Sequence, residues 1–113
     1  MAYVYILHYE QPLDSSTLTY RRAPRHYIGW TTDIDKRLRQ HRTGNGGRFP
    51  AAMSRKGIRF RLERLWTFID DMDAKALERS IKREKRGGTA YCVRCAVLSS
   101  RQPKEARYVQ GEV

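Results

Sequence analysis

Seven consecutive residues near the start, Tyr3-Val-Tyr-Ile-Leu-His-Tyr9, are aromatic or branched aliphatic apart from one histidine. Such side chains lose rotamer freedom in a helix and pack well on a pleated surface, so the run reads as a strand. A second run of the same character, residues 25–31 (RHYIGWT), lies further along. Between them lie Pro12, Asp14, Ser15, Ser16 and Pro24, and residues 10–24 read as a loop, long for a hairpin connection. The simplest arrangement pairs the two runs antiparallel. A chain that begins this way builds a sheet, and its later segments must cover that sheet.

The remainder supplies that cover. Thr32 is expected to cap a helix whose positive end Asp33 and Asp35 favour. Ile34, Leu38 and His41 fall at helical spacing, and Gly44-Asn-Gly-Gly47 stops the helix. Residues 48–59, basic and interrupted by Pro50 and Gly57, read as irregular. Residues 60–69 (FRLERLWTFI) read as a third strand, with the Phe60, Leu62, Trp66, Phe68 alternation broken at Arg64. Asp70 and Asp71 open a second helix with an apolar stripe of Met72, Ala76, Leu77 and Ile81, ended by Gly87-Gly88. From Thr89 onward the pattern assigns no element. The expected fold is α+β: a small three-stranded antiparallel sheet flanked by helices in ββαβα order. Residues 1–88 form the main domain, and residues 89–113 are an extension packed on it or trailing from it.

The chain of 113 residues suffices for one domain with a modest core. Its 23 Lys and Arg against 12 Asp and Glu give a formal net charge of +11. That excess suits a polyanionic partner, nucleic acid being the commonest, although a solvated basic surface has the same composition. No apolar run reaches the ~20 residues of a membrane helix, and the N-terminus lacks the pattern of a secretory signal. The expected location is a reducing cytoplasm. Cys92 and Cys95 form one Cys-x-x-Cys pair, half of a tetrahedral zinc site. No second Cys-x-x-Cys or His-x-x-x-His pair completes it, and His8, His26 and His41 are scattered, so the pair reads as two thiols in a C-terminal segment.

The chemistry-bearing residues fall in a recognisable order. Tyr3-Val4-Tyr5 and Tyr27-Ile28-Gly29 are two aromatic triplets; Arg37 lies eight residues after Gly29, His41 four residues further on one helical face, and Glu78 sits in a later basic helix. Gly29 reads as a place where side-chain bulk would block a close approach, or as an ordinary bulge. Over roughly residues 3–86 this order resembles the GIY-YIG nuclease family. The first triplet departs from the family's Gly-Ile-Tyr, and the second matches letter for letter. The resemblance implies a metal-dependent endonuclease that hydrolyses DNA phosphodiester bonds, duplex or branched. It implies Tyr5 as general base or water-positioning group, Tyr27 as its polarising or phosphate-binding neighbour, and Arg37 as the forked donor to phosphate oxygens. It further implies His41 as a phosphate contact or proton-transfer partner, and Glu78 as ligand to Mg²⁺, with Mn²⁺ a possible substitute. Arg37 and nearby lysines are expected to lower the pKa of Tyr5. Arg48, Arg55, Lys56, Lys82, Arg83, Lys85 and Arg86 are expected to track a nucleic-acid backbone. The family's later asparagine has no counterpart, because no asparagine occurs after Asn45.

Plainer readings of the same residues stay open. Tyr5 and Tyr27 suit any sheet core. Asp33–Arg37 and Glu78–Lys82 have the spacing of ordinary i,i+4 ion pairs. A binding module of the same fold that has lost cleavage, or an RNA-binding protein, would carry the same charge.

Overall fold

In a computed structural model, residues 1–11, 25–84, 91–93, 95 and 111–112 are described. Both long runs form strands, β1 (Ala2–Tyr9) and β2 (His26–Thr31), paired antiparallel from Tyr3↔Thr31 to His8↔His26. The third strand, β3 (Phe60–Phe68), pairs antiparallel with the other side of β1. A two-residue strand, β4 (Gly111–Glu112), adds to β3, so the order across the sheet is β2-β1-β3-β4. The core three-stranded antiparallel sheet is the one expected; β4 has no signal in the sequence.

Because side chains alternate across a strand, β1 divides its residues between two cores. Tyr5, Leu7 and Tyr9 face one cluster with Leu38, Met53 and Leu65. Ala2, Val4 and Ile6 face the other, with Trp66, Phe68, Ala74, Leu77 and Ile81. The break in β3 at Arg64 has a structural cause. The pairing with β1 shifts between Ile6↔Arg64 and Leu7↔Leu62, which leaves Glu63 as an extra, bulged residue. Ordinary alternation puts Arg64 on the same face as Trp66, where its guanidinium lies 5.1 Å from the indole centroid and only 2% of the residue is exposed, while the bulge turns Leu62 to the other face.

Helices cover both faces. The first, α1 (Ile34–Arg42), starts one residue later than Thr32 would have it: Asp33 is the cap, its carboxylate accepting from Lys36 N at 3.1 Å. Thr31 is still paired in the sheet and its hydroxyl accepts from Asp33 N at 3.1 Å, so the chain cannot turn helical earlier. Residues 48–55, read as irregular, are a second helix, α2 (Arg48–Arg55). Pro50 sits in its first turn, where a missing N–H leaves no bond unmade, and Gly57 at φ +70 lies just past its end. Pro50 and Met53 are buried and Phe49 partly so, an apolar edge that the surrounding arginines and the proline hid.

The third helix, α3 (Asp71–Arg83), is capped by Asp70, which accepts from Met72 N at 2.8 Å. Its buried stripe is Ala74, Leu77 and Ile81; Met72 is 73% exposed, because the first turn points it away from the sheet. The helix ends at Arg83, before the expected glycines. The element order is therefore ββααβα followed by the short β4, within the α+β class expected. Residues 12–24 of the long loop, Gly87-Gly88, Lys85 and Arg86 lie outside the described residues. No helix among the described residues is long and apolar enough to cross a membrane.

Candidate active site

Tyr5 sits in the middle of the central strand on the α1–α2 side, and it is fully buried. Directly opposite on β2 is Gly29. A Cβ there would collide with the phenol, meeting Tyr5 Oη and, at 2.6 Å, Cζ. Gly29 is thus the position that lets the Tyr5 hydroxyl lie across the neighbouring strand. Close approach, rather than a bulge, is what this glycine serves, and what approaches is the tyrosine itself.

Two residues of α1 reach that hydroxyl. His41 Nε2 lies 2.6 Å from Tyr5 Oη, and Arg37 Nε donates to the same oxygen at 3.4 Å. In the tautomer protonated on Nδ1, His41 accepts the hydroxyl's own proton at Nε2 while Arg37 donates to Oη. His41 Nδ1 is a buried atom with no hydrogen-bond partner among the described residues. A Cβ on Gly46 would collide with this imidazole, at 2.6 Å from Cε1 and closer still to Nδ1. Gly46 therefore makes room for His41, a role hidden in a glycine cluster that reads only as a helix stop.

Tyr27 completes the group. Its ring centroid is 6.3 Å from that of Tyr5 and 5.0 Å from that of His41, edge to face with the latter. It also stacks on Phe49 of α2, with the planes 7° apart. Phe49 escapes the sequence because its stretch does not read as a helix. Four of the expected residues, Tyr5, Tyr27, Arg37 and His41, converge here.

Electrostatics assigns these groups different protonation states. Burial pushes the Tyr5 hydroxyl well above its ordinary range, more than the Arg37 hydrogen bond lowers it. This corrects the expectation that nearby cations would favour phenolate: removing the phenol from water costs more than one partly buried guanidinium returns. Burial, and then the Arg37 charge, lower His41 to about 4, so at neutral pH it is an uncharged acceptor. Tyr5 and Tyr27 in turn hold Arg37 fully protonated.

Glu78 comes from α3, on the opposite side of the sheet from α1 and α2. Its charge nonetheless acts on Tyr5, raising it. Its ion pair with Lys82 is long, at 3.7 Å, and its side chain is 16% exposed. No group of three or more His, Cys, Asp or Glu surrounds it among the described residues. A cage for a bare cation is therefore not built here. A lone, partly buried carboxylate does fit an ion that keeps its waters and takes further oxygens from a substrate phosphate, as Mg²⁺ does.

Beside the cluster runs an open groove of about 620 Å³ between the end of β2 and α1, lined among others by Trp30, Lys36, Arg37 and Gln40. Gln40 Oε1 accepts from Arg37 at 3.2 Å, which aims the guanidinium. Lys75 of α3 lies 4.8 Å from the Trp30 ring centroid, so cations from both helices meet at this edge. Arg48, Arg55 and Lys56 on and after α2, and Lys82 and Arg83 on α3, are all exposed or partly so. They belong to helices on opposite faces of the sheet rather than to one stripe.

Away from this group, on the α3 side, His8 and His26 face each other across β1 and β2 with Cys92 and Cys95 beside them. Strand pairing, which makes the two histidines neighbours, does not show in their spacing, so along the chain they look scattered.

A small basic α+β domain that gathers two motif tyrosines, an arginine and a histidine around one buried hydroxyl defines a catalytic class rather than a generic sheet. The chain belongs to the GIY-YIG family: a family model described as the GIY-YIG catalytic domain matches residues 1–91. It is also similar to the UPF0213 protein BH0048 of Halalkalibacterium halodurans, with 33% identity over 60 residues. The aligned stretch covers 53% of this chain and 60% of that protein. No solved structure matches. In general such domains are nucleases, act on nucleic acid and depend on a divalent metal ion.

Proposed function

We propose that the protein is an endonuclease that hydrolyses DNA phosphodiester bonds with Mg²⁺ bound at Glu78. The observation that carries this reading is the Arg37–Tyr5–His41 chain of hydrogen bonds, at 3.4 and 2.6 Å, beside an open cationic groove. Tyr5 is closed off while Arg37 rests on it. An incoming phosphate offers Arg37 two charge-assisted bonds in place of one long one, so the guanidinium turns to the groove and the hydroxyl is freed on that side. Tyr5 Oη then accepts a proton from the attacking water while its own proton passes to His41 Nε2. This relay needs no phenolate, and it uses the neutral histidine that burial provides. Arg37 neutralises the charge that grows on the non-bridging oxygens. Tyr27, held by Phe49, packs against the His41 ring and keeps Nε2 on the Tyr5 hydroxyl. The cation, when bound at Glu78, supplies Lewis-acid stabilisation of the phosphate and the leaving oxygen.

Lys36, Lys75 and the exposed arginines of α2 and α3 contact the nucleic-acid backbone, which positions a strand without reading its sequence. A binding module of the same fold without cleavage is the second reading, favoured by the variant first triplet Tyr3-Val4-Tyr5 and by the absence of a later asparagine. The deciding experiment is a cleavage assay on duplex, nicked, flap and branched DNA, with structured RNA alongside, in Mg²⁺ or Mn²⁺. We expect metal-dependent cleavage of at least one DNA. Arg37→Ala and Glu78→Gln, each checked for folding by circular dichroism, should reduce it by about 10²–10³-fold. Tight DNA binding without cleavage in either metal would select the binding module instead.

A further inference from the structure

The hairpin of β1 and β2 ends in the cross-strand pair His8↔His26, on the α3 face of the sheet and away from the Tyr5 hydroxyl. Cys92 and Cys95 close on this pair from the C-terminal part of the chain. His8 Nδ1 lies 3.2 Å from His26 Nε2, 3.7 Å from Cys92 Sγ and 3.4 Å from Cys95 Sγ. Cys95 Sγ is also 3.3 Å from His26 Nε2, and the four atoms all lie within 4.8 Å of one another.

Hydrogen bonding does not account for this convergence. A ring nitrogen has one proton or one lone pair, so Nδ1 can make a single bond, yet three polar atoms crowd it. A tetrahedral ion does account for it. Zinc–nitrogen bonds of about 2.05 Å and zinc–sulfur bonds of about 2.3 Å set tetrahedral edges of about 3.3 Å between nitrogens and about 3.6 Å between nitrogen and sulfur. The separations here lie close to those edges. The site is also closed, with Cys92 fully buried, His8 only 6% exposed and the other two partly buried.

We propose that His8, His26, Cys92 and Cys95 bind a structural Zn²⁺ ion that staples the C-terminal segment to the loop end of the β1–β2 hairpin. Two thiolates and two imidazoles form a donor set that zinc favours, and with all four positions filled by protein the ion is structural rather than catalytic. The staple lies outside the shared domain in part, since the family match ends at residue 91, one residue before the first cysteine. It fixes the register that sets Gly29 opposite Tyr5, while Arg25 clamps the same end through Tyr9 O at 3.0 Å and Glu10 O at 2.6 Å.

The test is metal analysis of the full chain purified under reducing conditions without chelator. We expect one zinc per chain by inductively coupled plasma mass spectrometry. Replacement by Co²⁺ should give the intense visible bands and thiolate charge transfer of a tetrahedral S₂N₂ site. Chelation should lower the melting temperature by several degrees. Cys95→Ser and His26→Ala should each lose most of the metal, whereas Glu78→Gln should retain it, separating this site from the proposed magnesium ligand. The cobalt spectrum is read on the unsubstituted chain, so it stands even where a variant fails to fold. A protein that comes out metal-free with both thiols titratable and gives no cobalt spectrum, one that carries iron instead, or one that carries a Cys92–Cys95 disulfide would overturn the assignment.

Discussion

At the scale of single residues, the buried hydroxyl of Tyr5 governs the site. Its ring packs in the core, while its oxygen bonds His41 and Arg37, so the core and the proposed relay share one residue. Tyr5→Phe separates the two. Loss of the hydroxyl leaves His41 Nε2 buried without its partner, which costs about 1–3 kcal/mol. Cleavage should fall much further, by about 10²-fold or more, because the relay is gone. Urea unfolding beside single-turnover cleavage checks this; a rate loss no larger than the stability loss would make Tyr5 a core residue only. His41 gives a pH prediction. Its pKa is lowered from 6.5 to about 4 by burial and the Arg37 charge. Between pH 6.5 and 4 the unfolded chain takes a proton that the folded chain refuses, so stability falls as pH drops through that window. The effect reaches at most about 3 kcal/mol, and above pH 6.5 it disappears. His41→Gln should flatten the dependence measured by urea unfolding at pH 7 and 4.5; an equally steep dependence in the variant would show that His41 is not its source.

At the scale of elements, the sheet was legible because β1 and β2 are rich in β-branched and aromatic residues. Helix α3 was legible as a helix, but its face is misjudged by a turn at Met72, since periodicity alone does not say where a stripe starts. Helix α2 was not legible. Two turns carrying a proline and two arginines, with Phe49 and Met53 as the apolar edge, give too short a pattern. The site obeys the same division. Tyr5, Tyr27, Arg37 and His41 are found from their order along the chain, whereas Phe49 and Gly46 act through packing that has no sequence signature. Gly29 links element to site, because β2 can lie against β1 here only if this position has no side chain. Gly29→Ala should displace the Tyr5 ring or part the strands, costing about 1–3 kcal/mol and removing most cleavage. Gly57→Ala is the contrast: φ there is +70 but a Cβ meets nothing within 4 Å, so it should cost about 1 kcal/mol and leave cleavage intact. Equal activity in the two variants would mean that Gly29 is not shaping the site.

At the scale of the molecule, the chain carries a net charge of +11, and several of its described cations gather around one edge. Lys36 and Arg37 of α1 line the groove, Lys75 of α3 flanks it over Trp30, and the exposed arginines of α2 and α3 lie to either side of the sheet. A strand crossing the groove therefore meets cations from both helical layers at once, and the bound polyanion releases its counterions as each phosphate is neutralised. The logarithm of the affinity should fall linearly with that of salt, by about 0.9 per phosphate contacted on duplex DNA. Six contacts would weaken binding by about 10³-fold between 50 and 200 mM salt. The loss should be nearly the same for unrelated sequences, because backbone contacts position without specifying. Fluorescence anisotropy with two unrelated duplexes across that range measures both properties. Lys36→Ala and Lys75→Ala should each reduce the slope by about one unit, since they remove one cation at the groove while leaving the Tyr5–His41 pair untouched. An unchanged slope in both variants would place the nucleic acid elsewhere on the surface, and the groove beside Arg37 would lose its claim to be the path of the scissile strand.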